Sequence, residues 1–435
     1  MLNLFGTKER EIMTYSQQMI AALQNEMTDE YPALFELALE NDPIDELYRL
    51  ADTLYGLGFY NDLERLIYRL LESDPANDTL NVRLAEIAMD KGDDEQAFSI
   101  LFEIDERSEA YAESLLLQAD LYQQQGFPEV SENKLLEARR ITDNNPVAEF
   151  ALMELYFYLQ RYNEAIPGYE HLIESGYETL AGTDILHRMG TAHLEMGEYE
   201  NAVIYLDRSL DQLESLDAYH QKGLALMRQE SFDLAIETFK KALDFDPTYS
   251  TIYPALADAY LRNHDVKTAL ETVENGIEMD SLNPQLYHQG ADYARQLKDF
   301  DLAKEYYEKS LQLDPEQVAV RLDYVDLLLD FEDYDGVIAS IDEATEEEVN
   351  DPRFVWAKAR AYDALEAFEE AADNYDRASQ FLQANSNFLL DYINFLVEDG
   401  QRDKALESIN SYLAINPANE DMLTLKLNLE NDNNY

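Results

Sequence analysis

The sequence predicts an all-α solenoid of stacked helix-turn-helix repeats. Three observations carry this: a recurring Asp-Pro stop, a ladder of small residues at fixed spacing, and paired amphipathic stripes between the stops. The stop appears at Asp42-Pro43, Asp74-Pro75, Asp246-Pro247 and Asp314-Pro315, with Asn416-Pro417 near the end. Pro247 and Pro315 lie 68 residues apart, twice 34, and Pro315 and Pro417 lie 102 apart, three times 34. Ala235, Ala269, Ala303, Val337, Ala371 and Ala405 follow one another every 34 residues. A constant period of this length marks a repeat array, in which each unit buries its apolar face against its neighbours.

Residues 216–249 display one period clearly. Tyr219, Gly223 and Leu226 fall on one helical stripe, and Phe232, Ala235, Phe239 and Ala242 form a second after a turn at Gln229-Glu-Ser. Asp246-Pro247 then ends the pair, because proline lacks a backbone donor and restricts the residue before it. Small residues recur at the eighth position, at Ala51, Ala85, Ala119, Gly190, Gly223, Ala257, Ala291 and Ala359, marking where paired helices cross closely. In order, a leader at 1–11 precedes repeats at 12–43, 44–77, 78–111, 112–145, 146–182, 183–215, 216–249, 250–283, 284–317, 318–351, 352–385 and 386–419. Residues 420–435 supply a capping helix and a polar tail, closing the open end of the stack. The fifth repeat is lengthened by Ser175–Gly182, which predicts a bend between an N-terminal sub-array at 12–181 and a C-terminal one at 182–419. Gly336 and the acidic Thr345–Asp351 end of the tenth repeat predict a second joint.

The pattern of Tyr219, Gly223, Leu226, Phe232, Ala235, Phe239, Ala242 and Pro247 resembles the tetratricopeptide repeat (TPR) family, and the resemblance covers nearly the whole chain. Leu117-Gln-Ala-Asp-Leu-Tyr and Phe150-Ala-Leu-Met-Glu-Leu-Tyr-Phe are similar to the acidic, YpiA-like TPR proteins of low-GC Gram-positive bacteria. The resemblance implies a right-handed superhelix whose groove is lined by the first helix of each pair, at positions 2, 5, 9, 12 and 13.

Charge sets the expected partner. With 32 basic and 90 acidic residues the chain carries a formal charge of −58, which excludes a phosphate-tracking nucleic-acid binder and an anionic membrane surface. A hydrophobic content of 46% supplies a core and excludes disorder. There is no cysteine, hence no disulfide, thiolate metal site or cysteine nucleophile. Neither a secretory h-region nor an apolar run of about 20 residues is present, so a soluble cytoplasmic protein is expected.

At position 9 the chain reads Asp52, Glu86, Asp120, Glu154, Thr191, Leu224, Asp258, Asp292 and Asp326: two acidic columns with a neutral gap. Such columns are either a solvated face or a surface that attracts a basic protein or peptide. Chaperone-binding TPR domains hold a C-terminal carboxylate with Lys and Asn. Position 5 here has no Lys, and at position 9 the Asn appears at Asn394, so that ligand is not expected. His187, His220 and His288 share position 5, and Arg353, Trp356 and Arg360 sit at i, i+3 and i+7, so both sets join the candidate groove.

Chemistry is not expected. The histidines lack further compact ligands, so neither metal nor cofactor is predicted. Asp330–Gly336 suggests a calcium loop, but Phe331 and Asp342 stand where that motif needs an acid and a glutamate, and the stretch falls at an inter-helix turn. P-loop, dinucleotide and nucleophile-elbow motifs are lacking. The expected function is a non-catalytic protein-interaction scaffold. Alternatives are a peptide-responsive regulator that changes curvature on binding, or a chaperone-like assembly factor for basic clients.

Overall fold

Helix pairs form wherever the sequence supplies two apolar stripes separated by a polar turn, and among the described residues this happens twelve times. A computed structural model describes residues 13–24, 31–143, 145–345 and 348–431. The first repeat folds as helices Tyr15–Gln24 and Tyr31–Asn41 and the second as Ile44–Leu57 and Tyr60–Leu71. The alternation continues unbroken to Ser386–Glu398 and Arg402–Ile415, followed by the capping helix Glu420–Asn431. Met422 of that last helix is buried, and Leu425 and Leu429 pack against the final core cluster. The leader at 1–11 and the last tail residues, 432–435, lie outside the described residues.

Close helix crossings explain the small-residue ladders. Ala51, Ala85, Ala119, Ala257, Ala291 and Ala359 are fully buried, as are Ala235, Ala269, Ala303, Val337, Ala371 and Ala405 on the facing helices. Gly223 shows why the eighth position must be small: a Cβ built there would lie 2.2 Å from the Phe239 ring. The fifth repeat keeps a ring, Tyr169, at Phe239's place but carries a large residue at the eighth position. Met153 occupies the eighth position, and the facing helix answers with Gly168, whose Cβ would lie 2.0 Å from the Met153 sulfur.

Turns inside the pairs share one left-handed residue. Gly58, Gly92, Gly126, Gly197 and Gly400 take it at no steric cost, while Gln160, Glu230, His264, Lys298, Glu332 and Glu366 adopt it with side chains. In each of the latter the next amide reaches back to the helix, as Arg161 N–H does to Tyr156 O at 2.8 Å, a Schellman closure.

The chain divides into two compact units, residues 1–205 and 206–435. The extra residues of the fifth repeat form a small antiparallel hairpin, pairing Thr179 with Asp184 and Leu180 with Thr183. Ala181 and Gly182, both at positive φ, supply the tight turn that such a two-residue loop needs. In the tenth repeat the second helix is short, Tyr334–Asp342, and a 3-10 turn at Glu348–Asn350 follows. Arg321, 3% exposed, reaches into this region and donates to Ser340 O and Pro315 O, each at 2.8 Å. The Asp330–Gly336 stretch is the inter-helix turn: Gly336 N–H donates to Asp333 Oδ1 at 3.0 Å and caps the following helix.

Candidate partner-binding face

Within each unit, first helices of successive repeats pack directly on one another, closer than the second helices do. Val318–Asp330 touches Pro352–Ala364, which touches Ser386–Glu398. The first helices therefore build the inner face, and the position-9 carboxylates project from it.

Those carboxylates have different surroundings. Asp52 pairs with Arg83 of the next repeat at 2.8 Å. Glu154 is enclosed: Arg188 straddles it with contacts of 3.0 to 3.2 Å, and the buried Tyr169 hydroxyl donates to it. Asp292 accepts from Tyr307 at 2.5 Å, and Asp258 meets Arg262 at 3.5 Å. Glu86, Asp120 and Asp326 are less well compensated, and each is held above the usual carboxylate range. Loss of water is the main cause in all three. Glu113 adds repulsion at Glu86, while Asp323 and Asp330 do so at Asp326. Asp120 and Asp326 keep one edge open to solvent while neighbouring helices crowd the other, so exposure and desolvation coexist there.

The three histidines have different surroundings. His187 lies in the first unit, where its amide is capped by Asp184. His220 lies in the second, tilted against Phe239, with burial pushing its pKa down toward the neutral ring. His288 Nε2 approaches Asp323 Oδ2 at 3.0 Å and Asp292 Oδ2 at 3.8 Å. Among the described residues, these three form the one group of nitrogen and oxygen donors compact enough to hold a metal ion, all within 4.8 Å of one another.

Arg353, Trp356 and Arg360 separate into two clusters. Arg353 forms a two-point contact with Asp351 at 2.7 and 3.0 Å, at the start of its own helix. Trp356 donates its indole N–H to Asp391 at 3.1 Å, and Arg360 both faces the Trp356 ring at 5.9 Å and approaches Asp391 at 3.5 Å. Phe150, also at position 5, is buried at 7% against Tyr169.

Position 6 is the partner set that sequence reasoning passed over. Arg83, Arg188, Asp323 and Asp391 all occupy it, and each meets a position-5 or position-9 residue of the preceding repeat, 31 to 35 residues back. Two further carboxylates of the same face, Asp363 and Glu398, line a cavity of about 410 Å³ together with Asp391, Arg360 and Asn394.

Residues 352–419 match the family of YpiA-like C-terminal tetratricopeptide repeats, and residues 123–177 match the YpiA-like tetratricopeptide repeats. Tetratricopeptide repeat families also match 183–212, 217–263 and 294–361. The TPR repeat-containing protein YpiA of Bacillus subtilis (strain 168) is 31% identical over 376 residues, covering 86% of this chain and 89% of that protein. The chain belongs to the YpiA-like TPR family. Solved structures similar to this YpiA-like chain include the Cut9 and Hcn1 hetero-tetramer of the APC/C, at 13% identity and a TM-score of 0.38, covering 95% of this chain and 96% of that one. Yeast Tom70 is similar at 15% identity and a TM-score of 0.37, covering 95% and 93%. Among the described residues, no helix of this family member is long and apolar enough to cross a membrane.

Proposed function

We propose that this protein is a non-catalytic, cytoplasmic interaction scaffold that takes a basic partner segment along the face of its first helices. One observation carries the reading: how the carboxyls with displaced pKa values are distributed. Those held above the usual range are Glu86, Asp120, Asp326, Asp363 and Asp391, and all stand on first helices. Those held below it, such as Glu132, Glu164, Asp333 and Asp351, stand on second helices or in turns, where an Arg or Lys hydrogen bond holds their charge. Beside carboxylates already answered by Arg83 and Arg188, the inner face thus keeps others that a cationic ligand would stabilise. A field of that sign speeds encounter with a basic chain and repels an acidic one.

The test is calorimetry of the full chain against octalysine and octaglutamate. Octalysine is expected to bind and to weaken steeply as salt rises to about 0.5 M, where the screening length falls below that of physiological buffer. An Asp258→Asn, Asp292→Asn, Asp326→Asn triple variant is expected to weaken binding. Equal affinity for both peptides, or binding indifferent to salt and to the triple variant, overturns the reading.

A further inference from the structure

We infer that the cavity at residues 360–398 is an anchor pocket for one lysine side chain of the partner segment, an inference that rests on the basic-partner reading above. The site lies on the first-helix face, between Pro352–Ala364 and Ser386–Glu398, with Tyr375 reaching in from the helix Phe368–Ser379. Its polar lining is Arg360, Asp363, Tyr375, Asp391, Asn394 and Glu398. Three carboxylates thus face one guanidinium, and Arg360 is committed to Asp391 and to the Trp356 ring.

Two features separate this place from an ordinary acidic surface. Mutual repulsion is present: Asp363 is held above its usual range first by loss of water and then by Glu398 and Asp391. The second is Tyr375. It is 2% exposed, its ring fixed between Tyr392, Phe395 and Phe388, yet its hydroxyl makes no hydrogen bond among the described residues. That hydroxyl lies within electrostatic reach of Asp391, Asp363 and Glu398, so it looks into the same space as the carboxylates. The fully buried tyrosine of the fifth repeat, Tyr169, instead donates its hydroxyl hydrogen bond to Glu154.

Carboxylate oxygens, the Asn394 amide oxygen and the Tyr375 hydroxyl oxygen make a set of acceptors around a compact volume. An ammonium carries three donors and no acceptor, and its slim aliphatic stem can pass the Leu329 and Ala364 edge of the cavity. A guanidinium is wider and planar, and one, Arg360, already occupies an edge of this cavity beside Asp391. The ligand is therefore a primary ammonium on a flexible chain, and its source is a lysine of a protein segment, since the acidic column Asp258, Asp292 and Asp326 leads up to the pocket from the preceding repeats.

The protein carries its own reporter. Trp356 is the single tryptophan, and its indole N–H rests on Asp391, so an ammonium arriving at Asp391 changes its emission. Octalysine titrated into the full chain is expected to shift Trp356 emission with the affinity that calorimetry reports. Oligoarginine and side-chain-acetylated octalysine are expected to leave the emission unmoved. Asp363→Asn and Glu398→Gln are each expected to weaken octalysine about tenfold, the usual size for losing one charge-assisted hydrogen bond. Tyr375→Phe, which keeps the packed ring, is expected to weaken it less while leaving the urea midpoint in place. If octalysine binds but Trp356 emission and the Asp363→Asn and Glu398→Gln affinities do not move, the anchor pocket is wrong and the basic-partner reading survives. Spermine binding more tightly than octalysine and losing affinity in the same variants overturns the lysine assignment in favour of a free polyamine. If no basic probe binds, both fall.

Discussion

Glu154 in the first unit and Asp363 in the second are both carboxylates on the inner face, yet the protein treats them in opposite ways. Glu154 is gripped by Arg188 on both oxygens and accepts a hydrogen bond from a fully buried tyrosine. Asp363 is held above its usual range first by loss of water and then by the charges of Glu398 and Asp391. The same residue class on the same face of the repeat is thus a rivet in one place and an unsatisfied acceptor in the other. Acidity of the column alone does not reveal function; what matters is whether a cation of the neighbouring repeat has already answered the charge.

Neutralising the two acids should break the comparison most sharply. Glu154→Gln is expected to lower stability by about 2 kcal/mol, since it strips Arg188 of its counter-charge and loosens Tyr169. Tyr169→Phe removes one hydrogen bond and is expected to cost about 1 kcal/mol. Both are read from urea midpoints at constant slope. Asp363→Asn is expected to act in the opposite direction, raising stability by about 0.5 kcal/mol, the scale of exposed charge interactions. A loss of stability in Asp363→Asn matching that of Glu154→Gln would erase the distinction.

The smallest effect is a pH dependence. Asp326, Asp363 and Asp391 have pKa values raised above the unfolded range, so the folded state binds their protons more tightly. Their contribution to stability is complete below the ordinary carboxylate range and is lost as pH rises through the raised values. Mild acidification from neutral pH should therefore stabilise this region. The Asp326→Asn, Asp363→Asn, Asp391→Asn variant should flatten the gain in a urea series across pH. Glu132, with its pKa lowered by Arg161, contributes with the opposite sign, and its share is lost only as pH falls well into the acid range.

The repeat boundaries were legible because the period is a property of the chain itself: Ala235 and its successors mark the crossings of the seventh to twelfth repeats without reference to any distant contact. The position-9 column was legible for the same reason. Its answering residues were not. Whether Arg188 reaches Glu154, or Asp391 reaches Trp356, depends on the offset between stacked helices, which a 34-residue count does not contain. Asp363 and Glu398 escaped notice because they share no column with each other and meet only across the packing of two repeats. The lengthened fifth repeat was visible as an insertion, but its hairpin rests on the Ala181 and Gly182 backbone, and alanine is not a residue that announces a left-handed turn.

The Met153 and Gly168 pair has a consequence for how such a chain can evolve. In the seventh repeat the small residue, Gly223, sits on the first helix and faces the Phe239 ring of the second. A crossover at the turn of the fifth repeat would set Met153 against Thr238, which stands where the fifth repeat has Gly168. The reciprocal product would set Gly223 against Tyr169, which already takes Phe239's place in the fifth repeat. Recombination can thus duplicate or remove the fifth repeat whole, but its first helix must be inherited with the glycine of its second.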